Sequence, residues 1–140
     1  MLEKPQAKEP PRKITKLLLV EDNEFQRTTI THILKQFPVQ YDQAEDGEKA
    51  IHIFNRFAEE KITYSIILMD IFMPIMNGID SVKNIRKIEQ KLKLPPAYIC
   101  GLSSERSDDL ESKCINSGMN IFLQKPVTST SIGKVISQFL

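Results

Sequence analysis

The sequence lacks long apolar runs and has few cysteines, and each shortage excludes a class of protein. Its longest purely aliphatic or methionine stretches are LLLV and IILM, far shorter than the roughly 20 residues of a membrane-spanning helix. Its 2 cysteines are Cys100 and Cys114, and MLEKPQAKEPPRK at the start contains no secretory-type apolar segment. We therefore expect reduced thiols, a cytoplasmic location and no membrane contact by this segment.

A strong basic surplus is also missing, since the formal net charge is +1. Nucleic-acid-binding domains usually carry a basic stripe, so we expect no nucleic-acid partner. Neither of the glycine-rich phosphate motifs, G-x-x-x-x-G-K-[ST] and G-x-G-x-x-G, occurs in the chain. Their absence argues against a nucleotide-dependent enzyme.

What the sequence contains is a regular alternation of short apolar runs and amphipathic stretches. Residues 1–14 are rich in proline and charge and are predicted to form a flexible linker or tail, which leaves residues 15–140 as one domain. Five strand-like runs are each followed by residues at helical spacing, and these runs are KLLLV, VQYDQA, YSIILMD, AYICGL and NIFLQ. Strands that are apolar on both faces are typical of a covered parallel sheet. The pattern predicts a doubly wound α/β fold with five parallel strands and five helices.

The helical spacing also predicts which side chains face the core. In the first helix, the inward positions include Phe25, Ile30 and Leu34.

Polar side chains follow four of the five predicted strands, where a doubly wound sheet binds its ligands. They are Glu21, Asp22, Asp70, Ser103 and Lys125. Three converging carboxylates repel one another unless a cation lies among them, and an all-oxygen ligand set suits Mg²⁺. The ammonium and the hydroxyl can both donate to an oxyanion. The sequence therefore predicts a magnesium site that handles a phosphoryl group.

Asp70 is the natural nucleophile of this group. Aspartate forms an acyl phosphate in some phosphoryl-transfer enzymes. Asp70 ends a buried strand, which fixes its backbone, and the loop after it leaves the carboxylate open to a donor. Pro74 and Gly78 then turn the chain into the next helix.

These motifs resemble the receiver domains of two-component response regulators across residues 15–140. LLVEDN is similar to the first strand of the family with its acid pair, and MDIFMPIMNG is similar to its phosphoacceptor loop. GLSS resembles the switch hydroxyl segment and FLQKP the lysine-proline pair. The resemblance implies a flavodoxin-like sheet with the strand order 2-1-3-4-5.

The resemblance assigns a role to each acid. It implies that Asp70 is phosphorylated and that Asp22, Asp70 and the carbonyl of Phe72 bind Mg²⁺, while Glu21 holds a metal-bound water. Catalysis would be limited to self-phosphorylation and autodephosphorylation. Glu21 stands where aspartate is commoner in the family, which lengthens one arm and keeps the charge.

The resemblance also implies a conformational switch. Ser103 and Lys125 would contact the phosphoryl group, and Phe122 would be the aromatic side chain that changes rotamer. The surface that responds would comprise the fourth helix, the fifth strand and the fifth helix. The bond between Lys125 and Pro126 resembles a family position where the peptide is cis.

EDNEFQ and MDIFMPIMNG are most similar to the receivers of hybrid histidine kinases. The implied partners are a histidine kinase and a histidine phosphotransfer protein, and the domain would be a monomer. The docking surface would include Asn23, Gln26 and Arg27 at the start of the first helix and the loop after Lys125. A stand-alone regulator that signals through the fourth-helix face remains an alternative.

Two further interpretations remain beside the phosphorelay. Haloacid-dehalogenase-like phosphatases resemble this arrangement, but they carry a second aspartate where this chain has Phe72. A degenerate receiver would act as a non-catalytic interaction module. Metal-dependent phosphorylation distinguishes a phosphoacceptor from such a module.

Overall fold

The computed structural model describes residues 15–140, so the predicted tail lies outside the described residues. The strands are β1 (Thr15–Val20), β2 (Val39–Ala44), β3 (Ile66–Asp70), β4 (Tyr98–Ser103) and β5 (Ile121–Gln124). The helices are α1 (Glu24–Leu34), α2 (Gly47–Glu59), α3 (Gly78–Leu92), α4 (Asp108–Ser117) and α5 (Ser129–Ser137). Strands and helices alternate along the described chain, as the sequence pattern predicts.

The strands form one parallel sheet in the order β2-β1-β3-β4-β5. This confirms the doubly wound, flavodoxin-like fold. The register pairs Val20 with Met69, Asp70 with Leu102, and Ser103 with Gln124. The carboxyl ends of β1, β3, β4 and β5 are therefore almost level, and the residues that follow them meet at one edge.

Apolar side chains alternate between the two faces of the sheet because neighbouring residues of a strand point in opposite directions. In β1, Leu18 and Val20 pack in the layer beneath α2, α3 and α4, while Leu17 and Leu19 pack beneath α1 and α5. All five residues of β3, including Asp70, are buried. The two central strands thus form a fixed base for the side chains at their ends.

The α1 helix begins directly after the first acid pair. The Asn23 side chain caps the helix by accepting a hydrogen bond from the backbone N–H of Gln26 at 2.9 Å. Such a cap satisfies one of the backbone donors that the first turn leaves unpaired. Because Asn23 provides this cap, the Asp22 carboxylate remains available to the site.

The prediction that Phe25 faces the core is wrong, since its side chain is 80% exposed. Ile30 and Leu34 are buried as predicted. Phe25 lies in the first turn of α1, and the buried positions of the helix begin at Ile30. Helical spacing identifies the inward face of a helix, but it does not say where along its length the contact with the sheet begins.

Within residues 15–140, none of the helices is both long and apolar enough to cross a membrane.

Gly78 is the first residue of α3 and sits against the strand that ends in Asp70. A Cβ atom at position 78 would lie 2.3 Å from the carbonyl oxygen of Asp70. Backbone atoms cannot move aside as a flexible side chain can, so Gly78→Ala should destabilise the domain by about 1 to 3 kcal/mol. The shift of the urea unfolding midpoint measures this loss.

Gly133→Ala provides the matched control. A Cβ atom there would meet the ring of Phe37 at 3.1 Å, and alanine favours the helix by roughly 1 kcal/mol. We expect this variant to stay within about 1 kcal/mol of wild type. Equal midpoints for the two variants would contradict the close approach of α3 to β3.

Candidate functional site

A polar cavity of about 240 Å³ opens at the carboxyl edge of the sheet. It is lined by Glu21, Asp22, Asn23, Gln26, Asp70, Phe72, Ser103, Ser104 and Lys125. The structure therefore brings together all of the predicted metal-binding and phosphoryl-contacting residues. Phe122 does not line the cavity: it is half-buried on β5, against the core layer beneath α2, α3 and α4.

The three acids form a compact cluster. One carboxylate oxygen from each of Glu21, Asp22 and Asp70 lies within 4.8 Å of the other two. Glu21 is 1% exposed and Asp70 4%, whereas Asp22 is exposed. The cluster thus has two carboxylates at its buried end, and the third lies at its solvent-exposed end.

Lys125 places a positive charge against this cluster. Its Nζ lies 2.8 Å from Glu21 Oε2 and 3.2 Å from Asp70 Oδ1. Its third contact, 2.6 Å long, is to Gln26 Oε1. The ammonium therefore bridges the ends of β1 and β3 from its position after β5.

The contact between Gln26 and Lys125 is a feature of the site that the sequence analysis missed. Gln26 is predicted above only as part of a docking surface. It follows Asp22 by four residues, and α1 starts at the edge of the sheet, so the first turn of the helix returns its side chain to the cavity. That spacing could have indicated the contact once the start of α1 was known.

Burial raises the pKa of Asp70 to about 7, and the neighbouring Glu21 carboxylate adds to the rise. The Lys125 ammonium opposes this shift but does not cancel it. The ionised cluster is thus short of positive charge. A divalent cation would supply it, and carboxylate and carbonyl oxygens are ligands that Mg²⁺ accepts.

Ser103 is buried at the end of β4, with 1% of its surface exposed. Its Oγ accepts a hydrogen bond from the backbone N–H of Glu105 at 3.0 Å, and its carbonyl oxygen accepts one from Lys125 N at 2.8 Å. The hydroxyl keeps its own hydrogen as a donor for an oxygen in the cavity. The peptide bond between Lys125 and Pro126 is cis, as the resemblance implies.

A second depression of about 310 Å³ adjoins the cavity on the side of α1. We call it the α1 groove, and its walls are Phe25, Gln26, Thr29, Ile30, Ser104, Lys125, Pro126 and Val127. Gln26, Ser104 and Lys125 line both the groove and the cavity. The exposed Phe25 ring thus lies beside the acid cluster rather than in the core.

The fold and the site define a five-stranded α/β domain with an acid cluster and a lysine at the carboxyl edge of its sheet. Residues 17–137 match the family model described as the response regulator receiver domain. The chain belongs to this family.

The curated relatives are much longer proteins. Hybrid signal transduction histidine kinase B of Dictyostelium discoideum is 33% identical over 139 residues, which is 94% of this chain and 7% of that protein. Autoinducer 1 sensor kinase/phosphatase LuxN of Vibrio campbellii is 33% identical over 124 residues, which is 89% of this chain and 13% of that protein. The chain is thus similar to a small part of each relative.

Solved structures share the fold over almost the whole domain. The Saccharomyces cerevisiae Ssk1 receiver domain, crystallised with the histidine phosphotransfer protein Ypd1, is 26% identical with a TM-score of 0.79 and covers 90% of this chain and 88% of its own. The receiver domain of the Arabidopsis thaliana histidine kinase CKI1, complexed with Mg²⁺ and BeF3⁻, is 26% identical with a TM-score of 0.77. That match covers 88% of this chain and 90% of the CKI1 chain.

The raised pKa of Asp70 predicts how stability depends on pH in metal-free protein. Below about pH 4 the carboxyl is protonated in both the folded and the unfolded chain, so it has no effect. Between its ordinary value of 3.8 and its folded value of about 7, the folded chain binds the extra proton, so stability falls as pH rises. Asp70→Asn removes this loss and should be more stable than wild type at pH 8, by up to about 4 kcal/mol.

Urea unfolding in the presence of a chelator, at pH 4 and pH 8, measures this difference. The exposed carboxylate of Asp80 provides the control, because Asp80→Asn should shift the midpoint little and similarly at both values. Added Mg²⁺ at pH 8 should stabilise wild type more than Asp70→Asn, since binding to the folded state raises its stability. If metal-free wild type were more stable than Asp70→Asn at pH 8, that result would contradict the raised pKa of Asp70.

Proposed function

We propose that this domain is the phosphoacceptor of a two-component phosphorelay and that Asp70 receives the phosphoryl group. The observation that carries the proposal is the single cavity in which Asp70, two further carboxylates, Lys125 and Ser103 meet. The charges and hydrogen-bond donors of this cavity fit a phosphoryl group. Membership of the receiver family supports the same function.

In the proposed reaction a carboxylate oxygen of Asp70 attacks the phosphorus atom of a phosphohistidine. The new P–O bond forms as the P–N bond breaks, and the electron pair of that bond stays on the ring nitrogen. A phosphohistidine that is protonated at its other ring nitrogen thus leaves as neutral imidazole. The product is an acyl phosphate on Asp70. Reversal of the step passes the group to another histidine, and attack by water releases inorganic phosphate.

Asp22, Asp70 and the carbonyl of Phe72 are the proposed Mg²⁺ ligands, with Glu21 holding a metal-bound water. A bound Mg²⁺ would neutralise charge on the acids and on the phosphoryl oxygens. The donor set favours this ion because all of its ligand atoms are oxygens. The raised pKa of Asp70 supports the proposal, since burial and the Glu21 carboxylate both disfavour its charged form and a cation would restore it.

Lys125 and Ser103 would hold the transferred group. The ammonium already contacts Asp70 and can donate to a phosphoryl oxygen, and the Ser103 hydroxyl can donate to another. Movement of the β4–α4 loop toward the phosphoryl group would draw Ser103 inward and make room for a different Phe122 rotamer. The two forms would then differ on the α4, β5 and α5 surface.

The α1 groove is the proposed docking place for the histidine-bearing partner. It adjoins the cavity, presents the exposed Phe25 ring and has Gln26 in its wall. Asn23, also expected at the docking surface, lines the cavity instead, and Arg27 lies outside both linings and donates to the Glu21 carbonyl oxygen. The Ypd1 complex of the similar Ssk1 receiver supports a phosphotransfer protein as this partner. A kinase histidine is the proposed source of the group.

We further propose that the domain works as a monomer in the cytoplasm, where histidine kinases obtain phosphoryl groups from ATP. Its chemistry would be limited to its own phosphorylation and dephosphorylation. The similarity to hybrid histidine kinases supports a place within such a kinase.

Intact mass after incubation with acetyl phosphate and Mg²⁺ tests the phosphoacceptor. Wild type should gain one phosphoryl group, and Asp70→Asn should gain none because the amide is a poor nucleophile. A chelator should suppress the gain in wild type. Asp80→Asn is the control, since its exposed carboxylate lies in α3 and should leave labelling unchanged.

Two results would oppose the assignment. Undiminished labelling of Asp70→Asn would place the phosphoryl group elsewhere. A folded wild-type domain that gains no mass with acetyl phosphate or with phosphorylated histidine proteins would favour the non-catalytic interaction module.

Docking at the α1 groove predicts that Phe25→Ser slows transfer between the domain and a phosphohistidine protein by about tenfold, because the contact loses a large apolar anchor. Acetyl phosphate labelling should change little, since a small donor needs no groove. The measurement follows radiolabel passing from the phosphorylated domain to a panel of histidine phosphotransfer domains.

Ile115→Ser is the matched control, since Ile115 is an exposed apolar residue on α4. It should leave transfer unchanged. If Ile115→Ser slowed transfer and Phe25→Ser did not, the docking surface would be on the α4 face rather than at the α1 groove. Failure of the whole panel, together with a protein that binds the α4 face only after phosphorylation, would favour the stand-alone regulator.

A further inference from the structure

The Lys125 ammonium has three N–H donors, and each has an acceptor. The acceptors are Gln26 Oε1 at 2.6 Å, Glu21 Oε2 at 2.8 Å and Asp70 Oδ1 at 3.2 Å. An ammonium group only donates, so Gln26 presents its amide carbonyl. The shortest of the three contacts is therefore to a neutral group, and the longest is to the residue that reacts.

A phosphoryl group on Asp70 brings new oxygen atoms that require donors. The donor that now faces Asp70 can turn to one of these oxygen atoms. The ammonium has no fourth hydrogen, so a second hydrogen bond to the phosphoryl group must replace the contact to Glu21 or the contact to Gln26. Glu21 is a buried carboxylate, and leaving it without its ion pair is costly. Gln26 is neutral and exposed, so water can replace the ammonium at its oxygen. The Gln26 contact is the one that yields.

From this competition we infer that Gln26 is a positioning residue that holds Lys125 away from the phosphoryl group. The inference rests on the proposed function, since it concerns the same cavity. Gln26 thereby restricts phosphorylation by small acyl phosphates. Gln26 lines the α1 groove as well as the cavity. A macromolecular donor that docks in the groove can therefore draw Gln26 away from Lys125, whereas a small donor has no contact in the groove and leaves the hydrogen bond in place.

The reaction concerned is the transfer from acetyl phosphate. A carboxylate oxygen of Asp70 forms a bond to phosphorus as the bond from phosphorus to the acetyl oxygen breaks, and acetate leaves as the anion. No proton or further reactant is required. A second hydrogen bond from Lys125 to the phosphoryl oxygens requires the ammonium to leave Gln26, so the hydrogen bond to Gln26 raises the barrier to this transfer.

Gln26→Met tests the competition, because methionine keeps the length of the side chain and removes the strong acceptor. The initial rate of labelling by acetyl phosphate with Mg²⁺ should rise about two- to fivefold, the effect of one exposed hydrogen bond to a charged group. The beryllofluoride concentration that half-saturates the amide shifts should fall by a similar factor. Gln26→Asn keeps an amide but shortens the arm, and it should behave like Gln26→Met.

A spectroscopic measurement on metal-free protein reports the contact itself. The side-chain ammonium signal of Lys125 in ¹⁵N-labelled protein should shift and broaden in Gln26→Met, because one acceptor is replaced by water. Gln36→Met is the control: Gln36 is also exposed, but it accepts a hydrogen bond from Ser129 rather than from Lys125. It should change neither the Lys125 signal nor the labelling rate.

The outcomes separate this inference from the proposed function. Wild type that gains phosphate while Gln26→Met labels at the same rate or more slowly would overturn the competition and leave the phosphoacceptor intact. An unchanged Lys125 signal in Gln26→Met would also overturn it. Wild type that neither labels nor binds beryllofluoride would overturn the proposed function itself.

Discussion

The site at the carboxyl edge of the sheet depends on the balance of charge around the Lys125 ammonium. Two buried carboxylates, those of Glu21 and Asp70, share this one cation at 2.8 and 3.2 Å, while Asp22 adds a third negative charge at the open side. Charges this close in a buried place are costly unless they are compensated. Burial and, after it, the Glu21 charge raise the pKa of Asp70 despite the opposing ammonium, and an added cation would counteract both. The same imbalance of charge is what the proposed metal-assisted phosphoryl transfer would use.

The balance holds only because the sheet fixes the ends of its strands. Each of the four contributing strands is held by its neighbours, and apolar layers cover both faces. The approach of Gly78 to the Asp70 carbonyl closes the loop that follows Asp70, and the N–H of Gly78 donates to Ile71 O at 2.8 Å. A more flexible sheet would let the carboxylates move apart, and their mutual repulsion would fall. Rigidity therefore maintains the charge imbalance.

The sequence was sufficient to predict the fold and the acids, hydroxyl and lysine that meet in the cavity, because both follow from local patterns. The apolar runs mark buried parallel strands, and level strand ends bring Asp70, Ser103 and Lys125 together although they lie far apart in the chain. The contact between Gln26 and Lys125 spans 99 residues and depends on where α1 starts relative to the sheet edge. The exposed position of Phe25 depends on the same geometry. The periodicity of apolar residues does not tell where a helix starts relative to the edge of the sheet. The Gln26 contact and the exposure of Phe25 could therefore be seen only in the structure.

Charge alone gives the cavity no means of distinguishing one phosphoryl donor from another, since every donor presents the same group. Discrimination must come from the surrounding surface, where Phe25 and Ile75 are 80% and 77% exposed. Ile75 also has φ of 72°, a conformation that a β-branched residue rarely adopts. Such strain persists only where the surrounding loop enforces it, and here it holds an apolar side chain in solvent within the loop after Asp70. Apolar contact is insensitive to the sign of charge, so a partner docked on these side chains would leave undisturbed the charge balance on which the proposed chemistry depends.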